Sequence, residues 1–171
     1  MRRCAYILIA LIFFSMLTSC ADNTNAIKNP VTFYYRSESI TYGQQASVIQ
    51  SEIREGKSFA GDAQSAIKQY LNGPQTKGCI SPFPAGTTLE SFNVDKNRVQ
   101  ITLSPHLAIL NGADLMVACA CLTQTATDLT GVKTVQIRAE GSLLNGEEAI
   151  TMRADSFLCI DESPNYLTAA H

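Results

Sequence analysis

The alternation of Val99, Ile101 and Leu103 with Gln100 and Thr102, read beside the run Leu89 to Val94, most constrains the fold. A period of two sends successive side chains to opposite faces, and Asp95-Lys96-Asn97 between the runs supplies residue types that accept a tight turn. The two runs are therefore predicted to form an antiparallel hairpin with one apolar face. Such a face has to be covered. The spacing predicts the cover next in the chain, a helix over about Gly112 to Thr130 capped by Asn111 and closed by Gly131. Leu115, Cys119, Leu122, Ala126 and Leu129 line one face of that helix, flanked by Met116, Ala118 and Thr125.

The same reasoning extends outward. Val31-Thr32-Phe33-Tyr34-Tyr35 reads as a strand with Val31, Phe33 and Tyr35 on one face. After the polar loop Ser37 to Gln44, a second strand is expected from about Ala46 to Arg54, on the alternation of Ile49, Ser51 and Ile53. Asp62 caps a helix in which Ala63, Ala66, Ile67, Tyr70 and Leu71 recur at helical spacing, with Phe59 just ahead of the cap. Asn72-Gly73-Pro74 ends it, because Pro74 cannot continue the hydrogen-bond ladder. Pro82 to Thr87 is a rigid lead-in to the hairpin, and Val132 to Arg138 is a further strand with Val135 and Ile137 inward. A turn at Asn145-Gly146 and apolar residues at Ile150, Met152, Phe157 and Leu158 fold the end of the chain back over the domain. The order β-β-α-β-β-α-β predicts an α+β fold, a small mixed sheet with two helices packed on one face.

Ahead of this domain, Arg2 and Arg3 precede an apolar run from Ala5 to Leu17. Its length fits the core of a signal peptide and falls short of the roughly 20 residues of a permanent span. The run ends Leu17-Thr18-Ser19-Cys20, which resembles the lipobox of bacterial lipoproteins: small residues admit the peptide bond to a protease, and the Cys20 thiol takes up diacylglycerol. Two long acyl chains on one cysteine hold a protein at a membrane for long periods. Residues 1–19 are accordingly expected to be a signal peptide and residues 20–30 the lipidated cysteine and a flexible tether. A domain over residues 31–160 and a tail over 161–171 follow.

Composition narrows the function. Thirteen basic against fifteen acidic side chains, without a long Lys/Arg run, supply no footprint for nucleic acid. Two histidines, one of them the last residue, leave little material for a His-rich metal site. Of six cysteines, Cys4 and Cys20 belong to the signal and anchor, leaving Cys79, Cys119, Cys121 and Cys159. An even number in an exported chain allows one or two disulfides. Cys119 and Cys121 stand about 200° apart on one helix, so they neither bridge each other easily nor chelate one zinc ion together. Cys119 shares the apolar stripe and reads as a small core residue. Cys121 can pair with Cys79 or Cys159, or stay free.

The arrangement also resembles the GerMN domain, the sporulation and spore-germination module named after the germination protein GerM. The likeness rests on Tyr70-Leu71-Asn72-Gly73-Pro74, Phe83-Pro84-Ala85-Gly86-Thr87, Val99-Gln100-Ile101-Thr102-Leu103-Ser104, Leu129-Thr130-Gly131-Val132-Lys133-Thr134-Val135 and Ala139-Glu140-Gly141, in that order over about Val31 to Ile160. Thr102 departs from the Asp usual before the Leu-Ser that ends the hairpin, and the loop Ser37 to Gln44 lies outside the pattern. The resemblance implies a non-enzymatic domain held at the cell envelope, without cofactor, since the family brings no established catalytic residues. Its sporulation members are similar to ring-building motifs, and others are thought to act near peptidoglycan.

The residues that could suggest chemistry have plainer readings. Ser104 and His106 invite a hydrolase, yet there is no Gly-x-Ser-x-Gly elbow and no motif places an acidic partner. Cys119 and Cys121 lie inside a helix, away from any base or helix N-terminus that would make a thiolate. Phe83 and Tyr34-Tyr35 could mark a glycan or partner surface, but core packing explains them as well. Glu52, Arg54 and Glu55 read as a solvated mixed-charge face. No catalytic residue and no metal site is assigned.

The expected protein is thus a lipid-anchored, non-catalytic module on the extracytoplasmic face of the cell membrane. It makes protein or peptidoglycan contacts, with a homo-oligomer among the arrangements open to it. The rival is a small-ligand-binding surface lipoprotein, which normally needs two lobes where this length supplies one.

Overall fold

The computed structural model describes residues 29–38, 48–56 and 62–156. The signal segment, Cys20, most of the tether and of the loop Ser37 to Gln44, Phe59, Phe157, Leu158, Cys159 and the 161–171 tail lie outside the described residues. Strand β1 (Pro30–Ser37) pairs antiparallel with β2 (Ile49–Glu55), Phe33 opposite Glu52 and Tyr35 opposite Gln50. Phe33 and Tyr35 are fully buried, as the alternation predicts. On its other side β1 pairs only at Arg36 and Ser37, with the short strand β3 (Cys79–Ile80). Helix α1 (Ala63–Leu71) begins where Asp62 accepts from the Gln64 N–H at 2.9 Å and ends before Gly73, whose φ of +94° is one that glycine adopts without strain.

The predicted hairpin is present as β4 (Leu89–Val94) and β5 (Val99–Leu103), with a register shift between Leu89 and Ser91. Val99, Ile101 and Leu103 are buried. A 3-10 turn (Pro105–Ile109) then leads into helix α2 (Gly112–Thr130), which Gly131 ends in the left-handed conformation. Asn111 stands at the predicted cap position but makes no side-chain capping bond there. The helix is a crossover, so β6 (Thr134–Ala139) runs parallel to β5, from Val99 beside Val135 to Leu103 beside Ala139. The turn at Asn145-Gly146 has two positive φ angles, 50° and 87°, and Leu144 and Glu147 exchange backbone hydrogen bonds of 2.8 and 3.0 Å across it. Strand β7 (Ile150–Arg153) closes the second sheet antiparallel to β6.

The α+β class and its two helices stand as read, but the strands form two sheets rather than one mixed sheet. A three-stranded sheet has the order β2-β1-β3, and a four-stranded sheet has the order β4-β5-β6-β7. The division has a local cause in β1. The Tyr34 N–H donates to Thr125 Oγ1 of α2 at 3.0 Å, and the Tyr34 carbonyl accepts from the Tyr70 hydroxyl of α1 at 2.6 Å. Side chains of both helices thus satisfy the edge that a further strand would take.

Helix α2 also departs from the expected single stripe. Ala118 to Thr123 are buried without interruption, which covers the whole circumference, because β1 packs on one side and β6 and β7 on the other. Ala118, Cys119, Ala120 and Cys121 are small enough to let both sheets approach. Among the described residues no helix is long and apolar enough to cross a membrane.

Candidate functional site

The loop that ends α1 is held by residues the alternation in β2 assigned to solvent. Ile53 of that strand is 55% exposed, whereas Glu52 is 4% exposed and the Arg54 side chain 10%. The solvated-face reading of Glu52 and Arg54 is therefore corrected: these two point inward. The physical reason is the set of backbone groups left open past the helix. Glu52 Oε2 accepts from the N–H groups of Gln75 and Thr76, each at 2.8 Å, and Oε1 accepts from Arg54 Nε. Arg54 Nη2 donates to the Gly73 carbonyl at 2.8 Å and to the Tyr35 hydroxyl at 3.0 Å, and its guanidinium lies 4.9 Å from the centre of the Phe33 ring.

Burial by itself raises the Glu52 carboxyl pKa, but the bonds from the Thr76 N–H, Arg54 and the Gln75 N–H outweigh it and hold the group below the usual carboxylate range. Burial pushes the Tyr35 phenol up in spite of Arg54, so it stays protonated and reaches the carbonyls of Tyr70 (3.0 Å) and Gly73 (3.2 Å). Tyr70 packs between this cluster and Phe83, its ring centre 4.8 Å from that of Tyr35 and, edge-on, 5.5 Å from that of Phe83. Tyr35 and Phe83 are core residues, while the hydroxyl of Tyr34 reaches Asp128 at 2.9 Å.

The Ser104 and His106 pair exists, with Ser104 Oγ 3.2 Å from His106 Nδ1, but its surroundings are those of a clasp. Ser104 is 5% exposed, and its Oγ already accepts from the Thr88 N–H at 3.0 Å. The imidazole leans on the turn Pro84–Thr87, in which Gly86 has φ +85° and a Cβ added there would stand 3.5 Å from His106 Nε2. The pair pins the lead-in turn against the end of β5. A nucleophile needs its oxygen facing a cleft, and this one faces the turn.

Cys79, Cys119 and Cys121 are buried free thiols. The Cys79 thiol donates to Gln50 Oε1 at 3.5 Å, and burial pushes Cys119 and Cys121 up to about 12, which disfavours the thiolate. Cys159, the other candidate partner of Cys121, and Cys20 lie outside the described residues. Among those residues no group of three His, Cys, Asp or Glu side chains could hold a metal ion. The Glu52–Arg54 cluster was missed because its partners lie in another element, and the one local sign of it is a pair of opposite charges two apart on a strand.

The model of the Germane family, described as "Sporulation and spore germination", matches residues 32–145. The first GerMN domain of the sporulation protein GerM from Bacillus subtilis aligns over 72% of this chain and 95% of its own, at 18% identity and a TM-score of 0.56. The tandem GerMN domains of the same protein align over 80% of this chain and 50% of theirs, at 18% identity and a TM-score of 0.54. A Clostridium perfringens protein provisionally described as a lipoprotein aligns over 74% of this chain and 87% of its own, at 18% identity and a TM-score of 0.46. No curated protein matches. At this identity the likenesses bear on the fold.

Proposed function

The chain belongs to the Germane family of sporulation and spore-germination proteins, and from that premise we propose that it is a non-catalytic interaction module held on the extracytoplasmic face of the cell membrane by lipid on Cys20. The observation that carries the reading is the family match over residues 32–145 behind the segment Leu17-Thr18-Ser19-Cys20. The anchor gives the domain a surface to work from, and the domain supplies contacts to an envelope protein or to peptidoglycan in sporulation, germination or envelope maintenance.

Two features support a role without turnover. Ser104, Cys79, Cys119 and Cys121 are buried among core residues or committed to bonds within the fold, where a substrate atom does not reach them. The family motifs around Gly73-Pro74 and Gly86-Thr87 are held by Glu52–Arg54 and Ser104–His106, which gives them a part in shaping the domain and supports the non-catalytic reading.

The test is Cys20→Ala in the full chain. Wild type is expected to carry acyl mass and sediment with membranes, and the variant to lose both while keeping its melting temperature. An unmodified Cys20 on a soluble wild-type product, or turnover of muropeptides by the purified protein, would overturn the proposal.

A further inference from the structure

We infer that the end of the domain at which α2 begins is a docking surface for a polypeptide partner that presents basic side chains around apolar ones; this names the partner class for the interaction role proposed above and rests on it. Three large apolar side chains stand exposed there: Ile109 at 67%, Leu143 at 58% and Met116 at 46%. The topology puts them at one end. Parallel β5 and β6 finish together at Leu103 and Ala139, and the Glu140 N–H donates to the Leu103 carbonyl at 2.8 Å. The chain leaving β5 runs through the 3-10 turn to Ile109 and into α2, whose second turn carries Met116, while the chain leaving β6 reaches Leu143 four residues on.

Both loops are rooted. Leu107, two residues before Ile109, and Leu144, next to Leu143, are each 0% exposed and belong to the core. The inward leucines fix the backbone and leave Ile109 and Leu143 outward, so little ordering entropy remains to be lost when a partner covers them. Scattered single apolar residues on a surface are ordinary, but these three stand on rooted segments at one end of the sheet.

Charge selects the partner. Glu140, Glu147 and Glu148 are exposed in the same loop region, and none makes an ion pair among the described residues. Of the cations near this end, Arg36 is already paired with Asp114 in the first turn of α2 at 3.1 Å, while Lys77 and Arg138 are exposed, so the acidic side chains outnumber the free basic ones. Exposed apolar side chains with unpaired acidic ones at the same end complement a basic partner and repel an anionic membrane.

The test is photocrosslinking in intact cells, with a photoreactive phenylalanine placed at Ile109, Met116 or Leu143 of the full chain, and at Ile53 or Val94 as exposed apolar controls elsewhere. The expected result is a discrete protein adduct from the first three positions and none from the controls. Its mapped contact peptide should be rich in Lys or Arg, and the triple change Glu140→Lys, Glu147→Lys and Glu148→Lys should lower the yield about tenfold with the melting temperature unchanged. Equal adducts at Ile53 and Ile109, adducts to lipid, glycan or a second copy of this chain alone, or yields indifferent to charge reversal would overturn the docking surface. The broader reading fails separately, through the Cys20→Ala fractionation, whose result does not depend on these side chains.

Discussion

Arg54 Nη2 donates to the Gly73 carbonyl at 2.8 Å, which ties an edge strand to the loop that ends α1. The guanidinium is neutralised by Glu52, whose second oxygen holds two further N–H groups of the same loop. Removing one member leaves the other charged and buried, a loss of about 3–5 kcal/mol. Glu52→Ala and Arg54→Ala should therefore each lower the melting temperature by roughly 10 °C or more, by circular dichroism, and the double change should cost less than the sum of the two. Additive losses would show that the two side chains act independently.

The same carboxylate sets a pH dependence. Its folded pKa lies below the ordinary value, so the unfolded chain takes up the proton first as pH falls. The stability it contributes is fully present above the unfolded pKa, about 4.3, and is lost as pH falls through the lower folded value. Glu52→Gln should flatten the fall in melting temperature between about pH 5 and pH 3 relative to wild type. Melting curves across that range check it, and parallel curves for the two proteins would contradict it.

The Ser104 clasp predicts a stability effect without a catalytic one. Ser104→Ala leaves the Thr88 N–H without its acceptor, worth about 1–3 kcal/mol if water does not replace it, and His106→Ala removes the support behind Gly86. Gly86→Ala, at a φ of +85°, should destabilise by about 1 kcal/mol. Denaturant titration reads all three. Release of p-nitrophenol from a model ester should stay at the buffer rate in wild type and variants alike.

The hairpin β4–β5 and both helix ends were legible because their causes are local. Alternation, turn residues and Gly-Pro sit within a few positions of what they determine. The inward side of β2 was not legible, since Ile49 and Ile53 offer an alternation while the groups that draw Glu52 inward, Gln75 and Thr76, lie more than twenty residues away. The burial of α2 on all sides was hidden for another reason. Alanine and cysteine are small and equally at home on a stripe or in a crowded centre, so Ala118 to Cys121 read either way until the second sheet is in place. Of the site residues read from sequence, Cys79 and Cys121 appear as separate buried thiols, and Cys20 and Cys159 lie beyond the described residues.

Those thiols predict silence toward alkylation. With Cys119 and Cys121 pushed up to about 12 and fully covered, the thiolate fraction at pH 8 is negligible and the sulfur is out of reach. Iodoacetamide applied to the folded protein under reducing-agent-free conditions should leave both unmodified, by peptide mass spectrometry, and label them promptly in guanidinium. Rapid labelling of either in the folded state would mean that α2 is open to solvent on one side.

The division into two sheets gives the last prediction. Thr125 Oγ1 is the acceptor for the Tyr34 N–H, a contact between residues 91 apart in sequence, and the Tyr70 hydroxyl serves the carbonyl of the same Tyr34. Thr125→Val preserves volume but removes the acceptor, leaving a partly buried N–H at a cost of about 1–3 kcal/mol, and Tyr70→Phe does the same for the carbonyl. Either change should also raise amide exchange at Tyr34 and its neighbours in β1 far more than in β5, because β5 is paired on both sides by other strands. Hydrogen-exchange mass spectrometry separates the outcomes. Faster exchange confined to β1 means that the helices stand in for its missing neighbour, whereas uniform acceleration across both sheets would make Thr125 an ordinary core residue.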